Sequence, residues 1–342
     1  MTYPAAVLAA RFHAAHRPLS LDDVPVPQPG PDEVRVRVRA AGVCGTELHF
    51  TDGLYAPARV PMTLGHEAAG TVDAVGSSVT GFVEGDRVAV FYYLFCGTCR
   101  WCLRGRQNLC LAPRGVLAFA ADGAFAEHVV VPAHCLVRLP DALSFEQAAP
   151  LCCAGTTAVH SLTEAEVEPG DVVVVLGAGG VGLATVQEAR RRGALVVAVS
   201  RDAERRAAAT RAGAVRSVAP EGLAAAVTEV SGGQGADVVV ELAGVTATLE
   251  LATAVLGKRG RLVLVGYSAD SLTVSPLGMV VAEQRVIASV GNTVAELAAT
   301  IALAAAGQLL PPVAGTLPLS EVNTALDRLR AGEVTGRLVL LP

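Results

Sequence analysis

Four of the eight cysteines in this 342-residue chain lie within fifteen residues, in the stretch CGTCRWCLRGRQNLC. Their spacing is C-x2-C-x2-C-x7-C, and a tetrahedral zinc site needs four thiolates about 2.3 Å from one ion. An iron–sulfur cluster takes the same ligands, so ligand type alone leaves it open. A closed set of four thiolates has no free coordination position, so we expect a structural zinc site that fixes a loop. Its ligands would be Cys96, Cys99, Cys102 and Cys110.

A second group of metal-binding side chains comes from three separate segments, GVCGTELHF, LGHEAAG and APLCCAGTT. A catalytic zinc takes about three protein ligands and keeps one position for water or substrate. These segments offer a thiolate, an imidazole, a carboxylate and one of two adjacent cysteines. The candidates are Cys44, His66, Glu67, and Cys152 or Cys153. Spacing alone leaves a catalytic metal site and a set of unrelated core or surface residues as comparable alternatives.

A hydroxyl and an imidazole follow the first cysteine of this second group. Thr46 is two residues beyond Cys44, where it could hydrogen-bond a metal-bound alcohol and pass on its proton. His49 comes three residues later and could carry that proton to solvent. The simpler alternatives are a turn after Gly45 for the threonine and surface solvation for the histidine. The pattern predicts a proton relay if the metal site exists.

The stretch VVVVLGAGGVGLATV contains a G-x-G-x-x-G motif directly after an apolar strand and before a helix. Gly177, Gly179 and Gly182 form the motif, with Gly180 and Val181 inside it. The glycines allow a tight turn and a close approach of the backbone to a pyrophosphate, whose charge is favoured at the helix N-terminus. In this strand–turn–helix setting the motif predicts a dinucleotide site.

The residue that ends the next strand, LVVAV, should contact the ribose of the adenosine. NAD sites place an acid there, which accepts from the 2′-hydroxyl and repels a 2′-phosphate. Here the strand is followed by Ser200 and Arg201, a hydroxyl and a guanidinium that suit a phosphate. The alternative is that Asp202 contacts the ribose and Arg201 faces solvent. We therefore expect NADP(H) to be preferred over NAD(H).

The chain divides into two parts with different secondary-structure patterns, and together they predict an α/β fold. Residues 1–150 hold short strand signals, of which VRVRVRA (34–40) alternates apolar and charged residues. After about residue 155, continuous apolar strands alternate with helices, which predicts a doubly wound parallel sheet. The final GRLVLLP is a strand again and should return to the first domain. We predict strands at 172–177, 195–199, 237–242 and 261–266, and helices up to 192, at 203–212 and at 246–256.

Composition excludes several classes of protein. The net charge is −5 without an extended basic cluster, which argues against nucleic acid as a partner. The N-terminal stretch lacks the pattern of a signal peptide, and glycines interrupt the most apolar run, so we expect no membrane partner. A cytoplasmic protein is the expectation. In that reducing compartment, clustered cysteines bind metals more often than they form disulfides.

Several motifs together resemble the zinc-dependent medium-chain dehydrogenase/reductase (alcohol dehydrogenase) family, in the family's order. They are GVCGTELH, GHEAAG, GDRV, the four-cysteine segment, CAG, GAGGVG and the terminal GRLVL. The resemblance implies a GroES-like, β-rich catalytic domain of residues 1–155 and 296–342. A Rossmann coenzyme-binding domain of residues 156–295 would interrupt it, with the active site in the cleft between the two.

The resemblance also implies roles for individual residues. Cys44, His66 and Cys153, the cysteine of the CAG segment, would bind the catalytic zinc, with Glu67 as a nearby or alternating ligand. Thr46 and His49 would form the proton relay. The four clustered cysteines would hold the structural zinc, giving two zinc ions per chain. The coenzyme contacts would include the pyrophosphate contact of Arg337 and the nicotinamide-binding backbone of Val265 and Gly266.

The expected function is that of a zinc-dependent alcohol dehydrogenase or carbonyl reductase that transfers hydride between NADP(H) and an alcohol, aldehyde or ketone. One alternative is a related reductase that acts on C=C or C=N bonds, but such a change would be expected to erode the zinc ligands or the relay. A non-enzymatic nucleotide-binding protein would not explain why the relay residues stand beside the thiolate.

Two further expectations follow from the resemblance. The segment at 91–94, with one phenylalanine, two tyrosines and a leucine, borders the substrate cleft in relatives and suits a hydrophobic or cyclic alcohol. The last strand of the second domain, near 285–290, should lie at a sheet edge. In relatives this strand pairs with the same strand of a second subunit across a two-fold axis, so a homodimer or homotetramer is expected.

Overall fold

The structure, a computed structural model, describes residues 6–342, which contain eighteen strands and eleven α-helices joined by loops and five short 3-10 helices. The strands are β1 (Ala6–Phe12), β2 (Ser20–Pro25), β3 (Glu33–Val43), β4 (Met62–Thr63), β5 (Glu67–Val75), β6 (Arg87–Val90), β7 (Tyr93–Leu94), β8 (Gly115–Val116), β9 (His128–Pro132), β10 (Leu136–Arg138), β11 (Val172–Leu176), β12 (Leu195–Val199), β13 (Arg216–Val218), β14 (Ala236–Glu241), β15 (Leu256–Leu264), β16 (Arg285–Ala288), β17 (Val313–Pro318) and β18 (Arg337–Leu341).

The helices are short, and most lie in the second half of the chain. They are α1 (Gly45–Thr51), α2 (Arg100–Leu103), α3 (Phe145–Ala148), α4 (Ala154–Glu164), α5 (Gly180–Arg191), α6 (Ala203–Ala212), α7 (Leu223–Ser231), α8 (Thr246–Val255), α9 (Pro276–Ala282), α10 (Val294–Ala305) and α11 (Val322–Arg330).

The first structural unit is built on a seven-stranded sheet. It comprises the residues up to Cys153 together with Asn292–Gly307 and Val313–Pro342. The strand order is β10-β6-β5-β3-β18-β17, and β9 pairs with β3 as well. The long central strand β3 contains the predicted alternation of VRVRVRA, with its valines buried in the core. Arg35 departs from the pattern because it is buried in an ion pair with Asp73, at 2.5 Å.

The second unit contains a parallel sheet of six strands in the order β13-β12-β11-β14-β15-β16. It comprises Ala154–Gly291 and Gln308–Pro312. Its central strands are buried on both faces because Val, Leu and Ala side chains from each face enter one of two apolar cores. The doubly wound parallel sheet expected from the sequence is therefore confirmed, and with it the α/β fold class.

The chain crosses between the units near Cys153, near Gly291 and again around the short segment Gln308–Pro312. This segment belongs to the second unit because Leu310 exchanges two hydrogen bonds of 2.9 Å with the side chain of Gln187 on α5. Strand β18 then ends the chain in the sheet of the first unit, between β3 and β17. Across residues 6–342, none of the helices is both long and apolar enough to span a bilayer.

Candidate active site

Helix α1 organises the first group of chemically capable residues. Cys44 directly follows strand β3 and forms the N-cap of α1, with extended backbone angles. The helix continues directly into the relay candidates, so Thr46 and His49 lie one helical turn apart on the same side. The Oγ1 atom of Thr46 is 3.6 Å from Sγ of Cys44. The structure thus places a hydroxyl against the thiol.

Four side chains from distant parts of the chain form one buried donor set, namely Cys44, His66, Glu67 and Cys153. One ligand atom of each lies within 4.8 Å of the ligand atoms of all the others, and all four residues are buried. The neighbouring Cys152 is turned away, since its thiol donates to the carbonyl of Ala68 at 3.3 Å. Burial raises the pKa of Cys152 to about 12, which keeps it a neutral thiol.

The two cysteines of the donor set share a proton. A hydrogen bond from the Cys153 thiol holds the pKa of Cys44 well below its usual value. The same bond raises the pKa of Cys153 well above its usual value. Arg337 and His66 also favour the thiolate form of Cys44. The donor set therefore stabilises at least one thiolate, the form in which cysteine binds metals and acts as a nucleophile.

Glu47 is a functional residue that the sequence reasoning missed. It is fully buried, and its Oε1 lies 2.7 Å from Nδ1 of His66. Its Oε2 accepts from the backbone N–H of Cys44 at 2.8 Å. Because a carboxylate only accepts, Nδ1 carries a proton, and Nε2 is the ring nitrogen left to bind a metal. An acid three residues after a candidate ligand cysteine, on the same short helix, is the signal that could have identified it.

The charge of Glu47 also controls the histidine. Burial by itself would lower the pKa of His66, but the charge of Glu47 and the hydrogen bonds from Glu47 and Cys44 raise it well above its ordinary value. The imidazole is therefore a strongly basic and oriented donor. Histidine ligands of metals typically depend on such a carboxylate for orientation.

Glu67 and Arg337 form a buried ion pair beside the donor set. Nη2 of Arg337 lies 2.7 Å from Oε1 of Glu67, and both side chains are almost fully buried. Burial raises the pKa of Glu67 to about 7, although the Arg337 charge opposes that rise. This contact lacks the geometry of a hydrogen bond, and neither carboxylate oxygen accepts one from the described residues. The carboxylate oxygens thus keep lone pairs available to a second cation.

The middle strand of the sheet leaves room for this carboxylate. Gly42 on β3 stands opposite Glu67 on β5, and a Cβ added to Gly42 would lie 1.9 Å from Oε2 of Glu67. Any side chain at position 42 would therefore displace the carboxylate. A glycine inside a strand commonly marks such a close approach.

The four cysteines from Cys96 to Cys110 form a second set, the cysteine cluster. Their sulfur atoms lie within 4.8 Å of one another. Short helix α2 begins after Cys99 and carries Cys102, so a tight turn brings these thiols together. The Sγ atoms of Cys99 and Cys102 are 3.5 Å apart, which is far longer than a disulfide bond, and none of the eight cysteines, all of which lie within the described residues, forms a disulfide.

Backbone N–H groups point at the sulfurs of the cysteine cluster. Cys96 N donates to Sγ of Cys110 at 3.3 Å, and Cys99 N donates to Sγ of Cys96 at 3.4 Å. Hydrogen bonds from Thr98 and Cys99 lower the pKa of Cys96 to about 5. Burial raises the pKa of Cys102 to about 12. Thiolates stabilised by N–H donors are suited to hold a cation.

The G-x-G-x-x-G turn lies between β11 and α5 of the second unit. Gly177 has φ +110°, a conformation that favours glycine. A Cβ added to Gly182 would lie 1.8 Å from the carbonyl oxygen of Gly177, whereas a Cβ at Gly179 would meet nothing within 4 Å. Space is therefore open beside Gly179, at the N-terminus of a twelve-residue helix that begins at Gly180. Val181 follows on the first turn of that helix.

At the end of β12, Ser200 is half-buried and Arg201 is exposed. Asp202, the alternative ribose contact, is the N-cap of α6, where its Oδ1 accepts from Arg205 N at 2.8 Å. Ser200 Oγ accepts from the backbone N–H of Asp202 at 3.3 Å. The carboxylate is thus engaged at the helix N-terminus.

A second missed residue supports the backbone of Val265 and Gly266. Both of their N–H groups donate to the carbonyl of Glu241, at 3.0 and 2.9 Å. The buried carboxylate of Glu241 in turn accepts from Gly244 N, at 2.8 and 3.0 Å. A Cβ at Gly266 would lie 2.3 Å from Ala243 N, so the two loops pack closely. Glu241 reads in the sequence as the end of an apolar strand, and only the fold reveals its role.

Comparison with known proteins agrees with these features. Residues 30–141 match the alcohol dehydrogenase GroES-like domain, and residues 180–306 match the zinc-binding dehydrogenase domain. An NAD-dependent alcohol dehydrogenase of Sulfurisphaera tokodaii is 35% identical, over 98% of this chain and 99% of its own length. The chain belongs to the zinc-dependent medium-chain alcohol dehydrogenase family.

Solved structures extend the similarity to the whole alcohol dehydrogenase fold. The alcohol dehydrogenase of Aeropyrum pernix superposes with a TM-score of 0.93 at 33% identity, covering 98% of this chain and 100% of that one. A zinc-binding dehydrogenase of Sinorhizobium meliloti, solved with bound NADP, has a TM-score of 0.88 at 31% identity and covers 99% and 100%. The expected family, an oxidoreductase with GroES-like and Rossmann domains, is confirmed.

Both sulfur-containing sites have the chemistry for the zinc of this alcohol dehydrogenase family. Four thiolates suit a closed tetrahedral ion, and two thiolates with one imidazole suit an ion that keeps an exchangeable position. The buried carboxylate oxygens of Glu67, which accept no hydrogen bond from residues 6–342, add a further donor within reach. The open space beside Gly179 at a helix N-terminus likewise fits a pyrophosphate.

Proposed function

We propose that the protein is a zinc-dependent alcohol dehydrogenase or carbonyl reductase that transfers hydride between NADP(H) and an alcohol, aldehyde or ketone. The observation that carries this proposal is the buried donor set with a relay hydroxyl in contact with it. A C=C or C=N reductase would not need the contact between Thr46 and Cys44, at 3.6 Å. A non-enzymatic protein would need neither this contact nor the oriented histidine.

Cys44, His66 and Cys153 would hold the catalytic zinc, with Glu67 as an alternating ligand. The cysteine cluster would hold a structural zinc, and the mutual reach of its sulfurs suits one ion. A multi-iron cluster would separate the sulfurs further, because its four thiolates are divided among two or more irons. When bound, zinc supplies a Lewis acid for the alcohol or carbonyl oxygen, and the nicotinamide accepts or supplies the hydride.

Side chains of the first unit carry the proton of the substrate hydroxyl to solvent. Thr46 accepts that proton at Oγ1 while it donates its own, and His49 accepts the proton at the next step and releases it to solvent. Both residues are half-buried, which suits a path from a closed site to water. Glu47 keeps the proton of His66 on Nδ1, so the histidine takes no part in proton transfer and acts as a fixed ligand.

Aromatic side chains next to the donor set favour a hydrophobic or cyclic substrate. The ring of Tyr92 lies edge-to-face against His66, with centroids 5.2 Å apart. The ring of Tyr93 lies against that of Tyr92, tilted by 34°, with centroids 4.6 Å apart. Tyr92 is buried and Tyr93 half-buried, so these rings offer apolar surface and exclude water near the site. We propose that they form one wall of the substrate site.

The preference for NADP(H) rests on Ser200, Arg201 and the engagement of Asp202 as a helix cap. Relatives differ in this respect, since the Sulfurisphaera tokodaii enzyme is named NAD-dependent and the Sinorhizobium meliloti structure holds NADP. We further propose that Gly177, Gly179, Gly180, Val181 and Gly182 bind the pyrophosphate. Val265 and Gly266 would hold the nicotinamide amide, and Arg337 would also contact the pyrophosphate. A cytoplasmic location stays a prediction.

Assembly into a dimer would use the edge of the parallel sheet. Strand β16 is the outermost strand, and three of its four residues are exposed. The preceding helix α9 exposes Leu277, Val280 and Val281 by about three quarters each, at 75%, 75% and 73%. Unpaired strand edges and large apolar side chains at one edge are typical of an interface. A homodimer, or a tetramer of such dimers, is the proposed state, and light scattering that gives a monomer at micromolar concentration would contradict it.

Steady-state turnover distinguishes the candidate reactions. The purified protein would be assayed with simple alcohols, aldehydes, ketones and enals, with each coenzyme, before and after chelation. We expect oxidation of alcohols and reduction of carbonyls, loss of turnover on chelation and its recovery with zinc. Reduction of the C=C bond of an enal, with no carbonyl turnover, would replace this proposal with the first alternative. Coenzyme binding without any turnover would favour the second.

A further inference from the structure

A further arginine, on helix α6, contacts the backbone that directly follows strand β12. Arg206 lies on α6, six residues beyond Ser200, and its Nη1 donates to the carbonyl oxygens of Ser200 and Arg201 at 2.9 and 2.7 Å. These are the two residues proposed above to contact the 2′-phosphate. The guanidinium is therefore anchored beside them by their own backbone, which fixes a side chain that is normally flexible.

The anchoring uses only one of the three nitrogens of Arg206. Its Nε and Nη2 make no hydrogen bond or ion pair with any residue between Ala6 and Pro342. The side chain is partly exposed, so an incoming ligand can reach these donors. A guanidinium held at one nitrogen, with parallel N–H donors left, is suited to bind a phosphate with two hydrogen bonds.

The net charge of residues 201–206, next to the proposed 2′-phosphate site, depends on Arg206. The residues from Arg201 to Arg206 carry three arginines and two acids, so the net charge is 3 − 2 = +1. The acids are Asp202 and Glu204, and without Arg206 the sum is 2 − 2 = 0. A phosphate ester carries about −1.5 to −2 at pH 7. A segment without net charge would attract such a group little, whereas a segment with net positive charge attracts it.

We propose that Arg206 is a further specificity-determining residue, whose anchored guanidinium binds the 2′-phosphate of NADP(H) together with Ser200 and Arg201. This inference rests on the proposed preference for NADP(H). Since Nη1 holds the backbone of both neighbours, Arg206 also keeps Ser200 and Arg201 in place.

Isothermal titration with 2′,5′-ADP and with 5′-AMP tests this directly, because the two probes differ only in the 2′-phosphate. The variants are Arg206→Gln, Arg206→Lys and a control, Arg211→Gln, which removes the same charge from the last turn of the same helix. We expect Arg206→Gln to weaken 2′,5′-ADP binding about tenfold or more and AMP binding less than about twofold. Arg206→Lys should recover part of the loss, and Arg211→Gln should behave like the unmodified protein.

Measurements on the unmodified protein distinguish a failure of the proposed NADP(H) preference from a failure of the role proposed for Arg206. If it binds AMP as tightly as 2′,5′-ADP, the coenzyme preference itself is wrong, and the role of Arg206 falls with it. If it prefers 2′,5′-ADP and Arg206→Gln leaves that ratio unchanged, only the role of Arg206 is overturned. Equal weakening of both probes would also overturn it, because a purely structural residue would act in that way.

Discussion

Nη2 of Arg337 lies 2.7 Å from Oε1 of Glu67, and this ion pair reaches across strand β3 in the seven-stranded sheet of the first unit. Strand β3 separates β5, which carries Glu67, from β18, which carries Arg337. The pair forms because Gly42 on β3 has no side chain in the way. Arg337 is the permanent positive charge among buried thiols and carboxylates, so it offsets the charge of the donor set.

Removal of Arg337 should therefore destabilise the protein strongly. Arg337→Met keeps most of the aliphatic stem and removes the charge, which leaves Glu67 buried without its cation. We expect the free energy of unfolding to fall by about 3–5 kcal/mol, measured by urea denaturation with zinc content checked. The double variant with Glu67→Gln should lose less than the single variant, because no unpaired charge remains. Equal losses in both proteins would mean that the ion pair contributes nothing.

Glu47 should act on metal retention through His66. In Glu47→Ala the imidazole loses the carboxylate that fixes its proton on Nδ1, so we expect about 10–100-fold weaker zinc binding at the buried donor set. Competition with a chromophoric chelator measures this affinity. The cysteine cluster serves as an internal control, since its zinc should leave at the same chelator concentration as in the unmodified protein. Unchanged release of both ions would contradict the role given to Glu47.

Coenzyme choice should reverse when the end of β12 is changed. In the unmodified protein we expect kcat/KM to favour NADP over NAD by about tenfold or more, since each charge-assisted hydrogen bond contributes about 1.5–3 kcal/mol. Ser200→Asp with Arg201→Ile should reverse the preference, because the carboxylate repels the phosphate and accepts from the ribose hydroxyl. The preference should weaken with added salt, which screens exposed charges. Better use of NAD by the unmodified protein would show that an acid occupies the ribose position.

Acid should destabilise the second unit through Glu188 on α5. This buried carboxylate accepts from Arg191 and Arg192 at 2.7–2.8 Å. Burial opposes ionisation, but the two arginines outweigh it and hold the pKa of Glu188 below its ordinary value of 4.5. A lowered folded pKa stabilises the fold at pH values above 4.5, and this stabilisation disappears as the pH falls through the folded value.

The stability difference between the unmodified protein and Glu188→Gln should therefore be about 1–3 kcal/mol at pH 7 and should shrink below about pH 4. Denaturation at a series of pH values measures it. Glu204→Gln, at an exposed position on α6, is the matched control and should show no such difference. A difference for Glu188→Gln that stays constant down to pH 3 would contradict the account.

The sequence was most informative where one local rule decides the structure. The runs at 172–177 and 195–199 are apolar at every position, which only a strand buried on both faces tolerates, and β11 and β12 lie there. Helix α1 was missed because it has only seven residues, and the buried Glu47 that caps it also ties it to His66, which is distant in sequence. Short helices carry little signal of their own.

The candidate site shows the same division. Motif spacing indicated the donor set but left Cys152 and Cys153 as alternatives, because adjacent residues differ only in where the backbone points them. The fold brings the sulfur of Cys153 to the set and turns Cys152 toward Ala68. The pairing of Glu67 with Arg337 could not be predicted either, since it joins residues far apart in sequence across a glycine.

Zinc analysis of two adjacent cysteine variants tests the central claim most directly. Elemental analysis of the unmodified protein should give two zinc ions per chain. Cys153→Ala should give one zinc ion and no alcohol oxidation, while Cys152→Ala, which removes a neighbouring buried thiol, should keep both ions and its activity. One ion in the unmodified protein, iron in place of zinc, or loss of zinc from Cys152→Ala with retention in Cys153→Ala would contradict the account.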